Sequence, residues 1–259
     1  MSYALTALLI TLGLFFGMLL LLDIGRRIGV RRRAQDPEGA GAGSGAVDSA
    51  VFALLGLLVA FTFSGAASRF DARRVLIVEE ANAIGTAYLR LDVAPASAQP
   101  ALRDLFRRYV DSRLEVYRKL PDLDAAKAEL ARSTQLQGEI WTRAVAAGRL
   151  EGAPPAATML LLPALNQMID ITTTRTMAGQ MHPPAVIFLM LFGLALASAL
   201  LAGYGMAGGQ SRDWLHVLAF AAVVAVTVYV IIDIEYPRLG FIRVDAFDQV
   251  LVEVRASMN

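Results

Sequence analysis

The sequence predicts an all-α membrane protein with four transmembrane helices and a helical bundle inserted between the second and third. Three observations lead there. The chain has 259 residues, of which 56% are hydrophobic. A soluble domain of that length buries a full core without so large an apolar excess. The excess is also uneven: it lies in four runs free of charge, at 3–22, 49–68, within 183–211, and at 214–232. Finally, between the second and third runs the apolar residues recur at three and four, the period of a helix and not of a strand.

Each run holds about 20 residues, and at about 1.5 Å per residue a helix of that length crosses a hydrocarbon core of about 30 Å. Within lipid the backbone must close its own hydrogen bonds, so each run is helical. The first run is expected to be a span, with a cleaved leader as the rival reading, because Met1-Ser2-Tyr3-Ala4 is uncharged and the arginines follow the apolar stretch. Residues 23–49 read as a loop: Arg26, Arg27, Arg31, Arg32 and Arg33 come first, then a flexible Gly-Ala-Gly-Ser-Gly stretch at 41–45. The first transmembrane pair with this loop occupies 1–68.

Residues 69–182 form the extramembrane bundle. Its first helix continues from the second span on a stripe of Ile77, Ala81, Ile84, Tyr88 and Leu91, until Pro95. A second helix covers 98–120, with Leu102, Leu105, Phe106, Tyr109, Val116 and Tyr117 on one side. A third covers 123–147 on Leu123, Ala126, Leu130, Trp141 and Val145. A fourth covers 156–178 on Leu161, Leu165, Met168 and Thr172, with Pro163 either kinking it or marking its start. The second transmembrane pair spans 183–235 and a C-terminal tail 236–259. Orientation stays open: six basic residues flank each side of the predicted spans, and the short loops slightly favour a bundle outside the cytoplasm.

Composition excludes several functions. Without cysteine there is no disulfide, thiolate metal site or cysteine nucleophile. A net charge of +1 leaves no nucleic-acid footprint. His182 and His216 form no ligand pair, no phosphate loop or nucleophile motif is present, and neither an enzyme nor a cofactor is expected.

The second span carries the most information. Leu55, Val59 and Phe63 share one face, beside a small-residue face of Gly56, Ala60 and Ser64 that permits close helix approach. The large stripe either packs in a core or against lipid, or forms a hydrophobic constriction around an oligomer axis. Arg69 and Arg73, one turn apart past the span, either anchor the helix at the interface or place positive charge at a pore mouth. Glu79, Glu80 and Asp92 are expected to pair with bundle arginines such as Arg103 or Arg107. Asp233 and Glu235, at the exit of the fourth span, form a salt bridge with a juxtamembrane arginine or a cation site.

These stretches resemble the bestrophin-like family of bacterial membrane proteins and, more distantly, the bestrophin channels. The resemblance rests on Leu55-Gly56 with apolar residues through Phe61, then Ser68-Arg69-Phe70 and Arg73, the run 79–92, and Asp233-Ile234-Glu235-Tyr236-Pro237-Arg238-Leu239-Gly240. It implies a homo-oligomeric, pentameric ion channel in a bacterial inner membrane, with lipid and inorganic ions as partners and Leu55, Val59 and Phe63 as its neck. It also implies a cytoplasmic bundle, against the charge rule. Phe70 stands where the family has tryptophan, and Pro-Arg-Leu-Gly where it has Pro-Phe-Gly; the acidic calcium clasp is absent, so calcium gating is not expected. The alternative is a membrane-anchored sensing or docking module with no conducting pore.

Overall fold

A computed structural model describes residues 3–36, 44–209 and 214–258. Among them there are eight α-helices, short 3-10 turns and no strand. Four helices are long and apolar enough to cross a membrane: α1 (Tyr3–Gln35), α2 (Ser44–Leu89), α6 (Ala185–Gly205) and α7 (Trp214–Glu235). The chain divides into two compact units, Met1–Ser68 with His182–Phe241 and Arg69–Met181 with Ile242–Asn259.

In the first unit α1 packs against α6 and α7. Leu14, Met18 and Leu22 of α1 meet Leu191, Ala195 and Ala199 of α6 and Val217, Ala221, Val228 and Ile231 of α7. No hydrophobic drive operates between helices in lipid, so close van der Waals packing must hold this seam. Glycines make it close. A Cβ on Gly25 would overlap the Leu200 carbonyl oxygen and lie 3.0 Å from Tyr204 N; a Cβ on Gly203 would overlap the Leu22 carbonyl. Gly29, one turn after Gly25, lies as tightly against Tyr204 and Ala207.

This seam corrects the reading of 23–49 as a loop. Residues 23–35 are helical, and α1 runs on through all five arginines. Arginine is a good helix former, no proline intervenes before Pro37, and Gly25 and Gly29 are retained for the α6 crossing, which offsets their helix cost. The glycine-rich linker as far as residue 43, and Arg212, lie outside the described residues.

The second unit contains the rest of α2, followed by a 3-10 turn at Arg90–Val93. It continues through α3 (Gln99–Arg118), α4 (Leu123–Gly148), α5 (Pro155–Gln180) and α8 (Gln249–Ala256). Asp122 caps α4, its carboxylate accepting from the N–H groups of Asp124 and Ala125. Pro155 starts α5, where a missing N–H costs nothing. Pro163 is accommodated inside α5, and in the preceding turn the Leu160 carbonyl accepts from Arg90 Nη1 at 2.8 Å.

The stripes read on α2 and α5 are buried as expected, as are all of those on α3 except the half-buried Tyr117. On α4 the face is different. Leu123 is exposed, Leu130, Trp141 and Val145 are half-buried, and the inward side is Ala126, Glu129, Ser133, Leu136, Gln137, Ile140 and Ala144. Its polar members find partners within the bundle. Gln137 donates to Tyr109 Oη and Thr172 Oγ1, each at 3.0 Å, and Ser112 donates to Glu129 Oε1 at 2.8 Å. Burial pushes the Tyr109 phenol up to about 12, partly opposed by nearby Arg113, so it stays protonated in this network. The C-terminal residues are shared: 236–241 belong with the membrane helices, whereas Leu251 and Met258 enter the bundle core.

Candidate functional site

Helix α2 is apolar all round through the membrane run, so its packing, not its composition, decides which side is free. Leu55, Thr62 and Ala66 face the core of the first unit. Thr62 returns its hydroxyl to the Leu58 carbonyl at 2.6 Å, which satisfies it without a partner helix. The opposite side is exposed: Leu54, Leu57, Phe61 (66%) and the small residues Gly56, Ala60 and Ser64. The stripe Leu55-Val59-Phe63 therefore turns through the boundary. Leu55 is 5% exposed, Val59 half-buried and Phe63 42% exposed. Large and small residues share the outward side, with Leu57 and Phe61 one turn apart beside Ala60 and Ser64. Periodicity alone could not find Leu57 and Phe61, because every face of an apolar helix looks alike. In the second unit α2 likewise leaves Val75, Glu79, Asn82, Thr86 and Leu89 exposed, while Ile77, Glu80, Ala81, Ile84 and Tyr88 turn inward.

The two arginines past the span have different surroundings. Arg69 is half-exposed. Arg73 is buried, and its guanidinium donates to the carbonyls of Ala178 at 3.1 Å and Met181 at 2.8 Å. It thereby closes the C-terminal end of α5, where orphan carbonyls and the helix dipole favour a cation. Arg74 pairs with Asp71 at 2.9 Å and lies over the Phe247 ring, 4.2 Å from its centroid.

Asp233 and Glu235 are both fully buried at the end of α7. Asp233 Oδ1 accepts from the Phe241 N–H at 3.0 Å and the Tyr229 hydroxyl at 3.3 Å. Gly240 is required there, because a Cβ would overlap the carboxylate. The Pro-Arg-Leu-Gly turn thus folds back onto the acid of its own helix. Glu235 Oε2 lies 3.5 Å from His182 Nδ1, and the imidazole stacks on Tyr236 with centroids 4.2 Å apart. Tyr3 extends the cluster, packing on Tyr236 at 4.6 Å and donating to the Ile232 carbonyl at 3.0 Å.

The second unit holds a buried charge network in which Glu80 pairs with bundle arginines as expected, but with other partners than those named. Asp92 pairs with Arg103 as expected, but Glu80 meets neither Arg103 nor Arg107. Its carboxylate sits between Arg113, with Nε to Oε1 at 2.5 Å, and Arg175, which also reaches Asp248 at 3.0 Å. Arg113 donates to Tyr117 Oη at 2.7 Å, and Arg175 lies 3.9 Å over the Tyr117 ring. Burial alone would raise the Glu80 pKa; the two guanidiniums outweigh it and hold the carboxyl below its ordinary range. A signal existed: Arg113 stands four residues after Tyr109 on an otherwise apolar stripe. Beside the network is an open pocket of about 400 Å³, lined by Tyr117, Asp248, Arg243, Asp245 and neighbours. Among the described residues no three His, Asp or Glu side chains converge as a metal site.

Comparison with known proteins agrees with this architecture. Residues 8–246 match the family model of the Bestrophin-like domain. Three crystal structures of a bacterial bestrophin homologue from Klebsiella pneumoniae, each with one substitution, share the fold. One aligns at a TM-score of 0.70 and 15% identity, over 94% of this chain and 99% of that one. The others align at 0.65 with 16% identity, over 95% and 98%, and at 0.64 with 14% identity, over 93% and 98%. No curated protein matches the chain in sequence. A four-span, all-helical chain matched over nearly its whole length by that model belongs to the Bestrophin-like family.

Proposed function

We propose that the protein is a homo-oligomeric ion channel of a bacterial plasma membrane, pentameric by its likeness to bestrophins, whose neck is lined by α2. The observation that carries this reading is the outward apolar side of α2. A residue that lines an axis between subunits must be exposed in one subunit, and Leu57 and Phe61 meet that condition. Phe63 stands at the margin of the lining and Val59 behind it; Leu55 supports the wall from within the subunit. Gly56, Ala60 and Ser64 leave room for the neighbouring copy. A narrow ring of large apolar side chains resists wetting and so restricts ion passage. Arg69 adds positive charge beyond the neck, Arg73 fastens α5, and Asp233 and Glu235 pin the α7 exit.

Purified protein in liposomes is expected to pass small inorganic ions. Phe61→Ala, by widening and wetting the neck, raises the flux severalfold, whereas Leu55→Ala changes it little. Absence of flux for sodium, potassium and chloride alike, with correctly sized oligomers in the liposomes, refutes the channel. A larger effect at Leu55 than at Phe61 refutes the assignment of the lining.

A further inference from the structure

We infer that the C-terminal turns of α1 are a docking surface for anionic phospholipid headgroups. The uncharged run of this helix ends at Asp23, yet the helix continues twelve residues to Gln35. The extension contains Arg26, Arg27, Arg31, Arg32 and Arg33, against Asp23 and Asp36 at its borders. Arg27 and Arg31 are one turn apart and lie on the same side as Ile24 and Ile28. All four are exposed, the isoleucines at 36% and 48%. Arg27 is drawn back along the helix by Asp23 at 2.7 Å while its side chain stays 73% exposed. The opposite side is immobilised by Gly25 and Gly29 against Leu200, Tyr204 and Ala207, so the basic side is presented in a fixed direction.

Depth and chemistry select the occupant. At about 1.5 Å per residue, Arg27 lies about 6 Å and Arg31 about 12 Å beyond Asp23. The headgroup layer is roughly 5–8 Å thick on each side. Arginine side chains reach back along the helix, so both guanidiniums attain the phosphate level. A guanidinium binds phosphate oxygens through paired hydrogen bonds. A soluble anion would satisfy the arginines but leave Ile24 and Ile28 in water; a phospholipid covers both, its phosphate on the arginines and its acyl carbons on the isoleucines. The inference stands apart from the proposed pore, since it involves only α1 and its packing on α6.

Binding of short-chain phosphatidylglycerol and phosphatidylcholine carrying a fluorescent tail, to the full chain purified in mild detergent, tests it. Phosphatidylglycerol is expected to bind at least tenfold more tightly, with the preference erased in molar salt. Neutralising two arginines in R27Q/R31Q lowers its affinity roughly 25-fold, about fivefold per charge. R27K/R31K, which keeps the charges, retains most of the preference and guards against a folding effect. Equal affinity for the two lipids, an unaltered preference in R27Q/R31Q, or displacement of the lipid by inorganic phosphate at constant ionic strength overturns the inference.

Discussion

Replacement of Gly25 by alanine tests the physical basis of the membrane unit. The added methyl would overlap the Leu200 carbonyl and stand 3.0 Å from both Leu200 C and Tyr204 N. The overlapped Leu200 oxygen demands the most, and the two helices must part by roughly 1 Å at the crossing. A gap of that size forfeits a quarter to a half of the dispersion attraction of each contact it opens. The seam it opens includes Leu14, Met18, Leu22, Leu191, Ala195 and Ala199. Overpacking of this kind costs about 1–3 kcal/mol. Gly13, on the same helix, has nothing within 4 Å of where its Cβ would be. Gly13→Ala therefore gains only the helix propensity of alanine, roughly 0.5–1 kcal/mol in favour of folding. Equilibrium unfolding in mixed micelles of mild detergent and dodecyl sulfate, followed by circular dichroism, measures both. G25A should unfold at distinctly lower dodecyl sulfate than wild type, and G13A at equal or higher. If G25A matches wild type, or G13A is the more damaging, the argument that backbone proximity holds α1 on α6 is refuted.

Two further outcomes concern the bundle. Glu80→Gln leaves Arg113 and Arg175 facing a neutral amide in a buried site, and is expected to destabilise the second unit by about 3–5 kcal/mol in thermal unfolding. Because the folded-state pKa of Glu80 is depressed, its contribution is present above the ordinary carboxylate range and lost as pH falls through the lowered value. Wild type should thus lose bundle stability on acidification where E80Q shows a flatter profile, and parallel profiles would deny Glu80 this role. Arg73→Ala strips the Ala178 and Met181 carbonyls of their donor and should cost about 1–3 kcal/mol. Faster amide exchange confined to the last turn of α5 checks it, and unaltered exchange there counts against the cap.

Features that depend on composition and local period are legible along the chain. Uncharged runs of bilayer length set the number and place of the membrane helices, because a backbone in lipid has no other way to satisfy its polar groups. Spacing of three and four found the inward sides of α2 beyond the span and of α5, and nearly all of α3, where polar residues mark the opposite face. It misjudged α4, because Glu129 and Gln137 on its inward side are polar and become suitable for burial only through Tyr109, Thr172 and Ser112, which other helices supply. The first span ends at Asp23 because charge begins there; charge closes an uncharged run but not a helix, and α1 continues with Gly25 and Gly29 held against Leu200 and Tyr204 of α6. Only the tertiary structure chose the free side of the second span, placing Leu55 inside and Leu57 and Phe61 outside. Only it brought Glu80 between Arg113 and Arg175, residues 33 and 95 positions away. Periodicity describes a helix on its own, whereas burial of a charge, and the exposed side of a uniformly apolar helix, depend on which neighbours the fold brings to it.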